Sequence, residues 1–129
     1  MAGFTHSEGV TYKNDAGTIT STTNLYTGDL EHNFDLAVPV STTNFPTAIA
    51  FAQNKIVSFV LFADQALTVK TNSTTTPQET IALAKGQQIV WTTAHLEDCP
   101  FSADVTNIYL TNASSSVVAN FKFRMLLLV

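Results

Sequence analysis

The chain has 129 residues, six Lys and Arg against ten Asp and Glu, a formal net charge of -4 and a single cysteine. That length suits one domain with a core of its own. One cysteine excludes an intramolecular disulfide, six scattered cations argue against a nucleic-acid groove, and no apolar run approaches the ~20 residues that cross a bilayer. Charged residues make up only 12% of the chain, about half the usual share. Thr, Ser and Asn carry the polarity instead, and they favour strands and turns.

Taken in chain order, residues 1–28 differ from the rest and read as an N-terminal arm. The start "MAGFTHSEGV" has no basic segment followed by an apolar run, so no signal peptide is expected. "GVTYKNDAGTIT" (9–20) predicts a hairpin turning at "NDAG". The arm carries few large apolar residues. Phe4, Val10, Tyr12, Leu25 and Tyr26 are its candidate contacts with a partner.

Residues 29–129 read as a β-sandwich domain. "LEHNFDLAV" (30–38) alternates over nine positions, with Leu30, His32, Phe34, Leu36 and Val38 on one face. Pro39 ends that strand or marks an edge. "STTNFPT" (41–47) has the composition of a loop, and "TAIAFA" (47–52) that of a short strand. "KIVSFVLFAD" (55–64) is apolar on both faces, which predicts a central strand covered above and below. "ALTVKTN" (66–72) alternates, "STTTPQ" (73–78) is a loop, and "ETIALAKGQQIVWTT" (79–93) gives two short strands joined by "KG". "DVTNIYLTN" (104–112) and "VVANFKFRMLLLV" (117–129) alternate again. The last five residues are apolar on both faces, so they form either a central strand of the fold or a strand partly covered by another subunit, and the lack of helices to cover it favours the partner. About eight to ten short strands without an amphipathic helix or an internal repeat predict an all-β fold: an antiparallel two-sheet sandwich of jelly-roll type.

The densest chemistry lies in "AHLEDCPFSAD" (94–104). If that stretch were extended, His95, Glu97 and Cys99 would face one way, as a set of three zinc ligands does. Pro100 breaks the strand, and the stretch joins two predicted strands, so a connecting loop is the expected reading. A catalytic Cys99–His95 pair needs a stabilised thiolate, whereas Glu97 and Asp98 beside Cys99 raise its pKa. His32, on an apolar strand face, reads as an interior side chain, and His6 as solvated. No HExxH, CxxC, P-loop, GxGxxG or GxSxG pattern occurs. The expectation is no catalytic residue, no metal and no cofactor. Asn72-Ser73-Thr74 and Asn112-Ala113-Ser114 match the glycosylation sequon and read as turn chemistry. Trp91, Tyr12, Tyr26 and Tyr109 would make a sugar platform only if they converged outside; Trp91 in "QIVWT" reads as core.

The arm "MAGFTHSEGVTYKNDAGT", the sandwich start "TGDLEHNFDLAVPVSTTNFPTAIAF", the Thr/Ser/Asn-rich β pattern and the single cysteine together resemble the small all-β virion proteins of tailed bacteriophages. The chain resembles especially their capsid decoration or cement proteins. The resemblance implies a homo-oligomer, a trimer by preference. It also implies a place in the virion, with the major capsid protein or neighbouring virion subunits as partners. Tail and head-completion proteins share this composition. A carbohydrate-binding module for host recognition is the alternative.

Overall fold

The structure is a computed structural model that describes residues 3–20 and 24–129. Among the described residues the chain forms twelve strands. Four belong to the arm: β1 (Phe4–Glu8), β2 (Thr11–Asn14), β3 (Gly17–Thr20) and β4 (Asn24–Gly28). Eight follow: β5 (Leu30–Val38), β6 (Thr42–Thr47), β7 (Ile56–Ala63), β8 (Leu67–Thr71), β9 (Thr80–Leu83), β10 (Gln88–Thr92), β11 (Ile108–Asn112) and β12 (Ala119–Leu127).

The last eight strands form two antiparallel sheets, in the orders β10-β7-β12-β5 and β6-β11-β8-β9. The chain changes sheet at every connection except β8 to β9. That winding is a jelly roll, as the pattern of short alternating strands predicted.

The inner faces build the core. Phe121 and Phe123 on β12 pair across β7 with Ala63 and Leu61, and across β5 with Leu36 and Phe34. Val69, Ile108 and Leu110 face them from the second sheet, all fully buried. Loop residues close the open end: Phe101 packs edge-on to Phe51 at 5.0 Å and lies 5.1 Å from Phe59.

Three segments depart from the sequence reading. The strand expected at 47–52 lies at β6, within the stretch read as loop. β6 is an edge strand paired only with β11, so Pro46 costs no hydrogen bond to a second neighbour. Ile49 and Phe51 are buried as core plugs outside any strand, with Phe51 bridged to Val105. The predicted strand over 104–112 begins only at Ile108, because Asp104 and Thr106 are tied up by Gln53 and Asn72.

The apolar C-terminus is the third. Met125, Leu126 and Leu127 are buried within the chain itself. β12 is central, between β7 and β5, and Leu126, on its outer face, is covered by the arm rather than by another subunit. Only Leu128 and Val129 remain exposed.

The two sequon asparagines do act as turn and loop braces. Asn72 takes φ 69° and donates to the Asp104 carbonyl at 2.9 Å. Asn112 is wholly buried and donates to the carbonyls of Val38, Pro39 and Val117 at 3.2, 3.3 and 2.9 Å.

Candidate functional site

The arm is built as a ribbon in two parts. β1 and β4 pair with Phe4 opposite Gly28, His6 opposite Tyr26 and Glu8 opposite Asn24. By the two-residue period these side chains share one face, and that face lies on the outer surface of the β10-β7-β12-β5 sheet. Thr5, Ser7 and Leu25 point the other way, Leu25 being strongly exposed.

The root of the ribbon is close-packed. A Cβ built on Gly28 would lie 2.7 Å from both Leu126 Cγ and the Leu127 carbonyl oxygen. The Asp29 amide donates to that same carbonyl at 2.8 Å, and Asp29 is the single residue between β4 and β5. No side chain fits where glycine lets the two backbones touch.

Further along, polar contacts hold the ribbon down. His6 Nε2 lies 2.6 Å from Glu31 Oε2 on β5. Glu8 Oε2 lies 2.7 Å from His95 Nε2 in the loop after β10. Thr92 Oγ1 donates to the Tyr26 hydroxyl at 3.1 Å. The ribbon therefore crosses the strands at one end of the sheet, from β5 and β12 towards β10, and buries Leu126 and Ser58 on the way. Beside it lies a cavity of about 280 Å³ lined by Tyr26, Ser58, Val60, Val90 and Arg124 among others. The Ser58 hydroxyl is buried there without a hydrogen-bond partner among the described residues.

The distal part, β2 and β3, turns through Asp15 and Ala16, with the Ala16 amide donating to Asn14 Oδ1 at 2.9 Å. Gly17 takes φ 131°, a conformation that favours glycine. Every side chain from Gly9 to Ile19 is exposed. Tyr12 and Ile19 sit directly opposite each other, 61% and 73% exposed. A lone two-stranded ribbon is at best marginally stable in water.

The five arm residues singled out in the sequence thus separate. Tyr12 and Val10 are exposed on the distal part, and Leu25 is exposed on the outward face of the proximal part. Phe4 is 41% exposed at the root, and Tyr26 is turned onto the chain's own sandwich. Residues 1, 2 and 21–23 of the arm lie outside the described residues.

The loop residues go elsewhere. His95 holds the ribbon through Glu8. Glu97 is exposed, and its carbonyl accepts the Trp91 indole N–H at 2.9 Å. Cys99 packs against the core. Burial pushes the Cys99 thiol up, and Glu79 adds to this in place of the neighbouring carboxylates expected from sequence. Among the described residues no three His, Cys, Asp or Glu side chains gather as a metal-ligand set. Trp91 faces inward, stacked on Phe59 at 6.2 Å, whereas Tyr109 belongs to the other sheet, so the two rings form no common platform. His32 lies against Phe34 with ring centroids 5.8 Å apart.

Sequence reasoning missed His6, Glu8, Gly28 and Glu31. His6 read as solvated because its partner is 25 residues away, and only the β1–β4 register turns His6 inward. The Glu31 carboxyl is held below its usual range, first by the His6 hydrogen bond and then by that of Asn33. A carboxyl lowered in the folded state contributes stability above the unfolded value of about 4.5, and that contribution is lost as pH falls through the lower folded value. Amide protection of β1 therefore falls on acidification below about pH 4.5. In Glu31→Gln, hydrogen exchange of β1 is faster at neutral pH and loses the part of its acid response that Glu31 supplies.

Among the described residues no helix is long and apolar enough to cross a membrane. No family model matches the chain, and neither a curated protein nor a solved structure matches it.

Proposed function

We propose that this protein is a non-enzymatic structural protein of a phage virion. It decorates and stabilises the capsid by associating with its own copies, three by preference, and with the major capsid protein or neighbouring virion subunits. The observation that carries this reading is the distal ribbon, where Tyr12 and Ile19 stand in solvent on a two-stranded element too small to be stable alone. A partner surface supplies the third layer that such a ribbon lacks. The β6-β11-β8-β9 sheet supports the reading through an outer face that carries Thr68, Thr80, Tyr109 and Thr111, where copies meet without strong charge repulsion. Weak contacts repeated over a lattice gain avidity.

The test is light scattering coupled to size exclusion, with co-sedimentation on assembled phage capsid shells. The full chain is expected as an oligomer that pellets with shells. The double variant Tyr12→Ser, Ile19→Ser keeps the sandwich, runs as a monomer and binds shells at least tenfold more weakly. A monomeric full chain that ignores shells overturns the proposal.

A further inference from the structure

We propose that the distal ribbon of one copy docks in the uncovered half of the β10-β7-β12-β5 outer face of a second copy. This inference rests on the assembly reading above and names its contact.

Among the described residues, the outer face is only half occupied. At one end the chain's own β1–β4 ribbon lies over Ser58 and Leu126. At the other end, past the 280 Å³ cavity, is an open groove of about 530 Å³. Its floor includes Ala37 and Phe62, and its rim carries Asp35, Asp64 and Lys122. Just before β12 at the same end, Val117 and Val118 are each 43% exposed.

Three features point to the occupant. The same sheet face already accepts a two-stranded ribbon, so the groove continues an existing mode of contact. The ribbon cannot fill its own groove: its root is fixed at Gly28 and Leu126, and it crosses towards β10 at the far end of the strands. The chemistry also matches. The Tyr12 and Ile19 pair suits the apolar floor, while Lys13 and Asp15 at the tip meet a rim holding Asp35, Asp64 and Lys122. Asp64 is ionised at neutral pH, its carboxyl held low by hydrogen bonds from the Asn120 side chain and amide.

Cysteine cross-linking tests the contact in a Cys99→Ser background. One preparation carries Ala16→Cys at the ribbon tip, and a second carries Ala37→Cys in the groove. A third carries Thr80→Cys on the other sheet. The second and third preparations are each mixed with the tip preparation and oxidised with diamide. The tip is expected to cross-link to Ala37→Cys at least tenfold faster than to Thr80→Cys. Phe62→Glu in the groove should abolish the oligomer while circular dichroism remains that of the sandwich. An intact oligomer that cross-links equally at both positions, or faster at Thr80→Cys, overturns this docking site and leaves the assembly reading standing. A chain that is monomeric at all concentrations overturns both.

Discussion

Asn112→Ala is expected to destabilise the sandwich by about 3–5 kcal/mol, enough to remove a large part of a typical domain's stability. Asn112 is fully buried, and its amide group serves three carbonyls at the junction of β5, Pro39 and the segment entering β12. Its side-chain oxygen also accepts the Ser114 amide at 3.1 Å, which sets the turn before β12. Alanine leaves all four groups without that partner where water cannot readily replace it. Asn112→Asp keeps the acceptor, loses the donors and buries a charge, so it should do no better. Thermal unfolding followed by circular dichroism should show the midpoint falling on the order of 10–20 °C. A fall of only a degree or two would mean that the turn reorganises without the amide.

Gly28→Val is expected to free the ribbon while leaving the sandwich folded. The new side chain would start 2.7 Å from a backbone oxygen, and that oxygen belongs to a strand paired on both sides. β12 cannot give way, so β4 must lift. Leu126 then returns to water, at a cost of roughly 1.5–3 kcal/mol. Hydrogen exchange would show loss of protection in β1 and β4 with β7 and β12 retained. Gly28→Ala has the same sign and a smaller size. Unchanged protection of β4 in the valine variant would show that the root is not held by this close approach.

The sandwich was legible because its signal is local. β5 alternates in sequence over nine residues and β12 over its first seven, and Phe34, Leu36, Val38, Phe121 and Phe123 turn inward as read from sequence. β6 was not legible, since Thr, Asn and Pro look like loop until the edge position makes them tolerable. The arm showed its hairpin through "NDAG" but not its docking. Docking depends on His6 meeting Glu31 and Glu8 meeting His95, pairs whose partners lie 25 and 87 residues apart. Nothing in a single sequence ties such positions together. Gly28 gave no warning either, because its role is set by the neighbouring strand β12 rather than by a turn.

The one-residue link at Asp29 has a geometric consequence. A lever hinged on several loose residues would meet the next molecule at many angles. A lever welded to its body by a backbone-on-backbone contact holds one angle. The proposed tip-to-groove contacts are head-to-tail, and such contacts close into a ring only when the rotation from each member to the next divides a full circle. For the proposed contact, the weld sets the direction in which β4 leaves the sandwich, so part of that rotation is fixed by the individual fold before any two molecules meet.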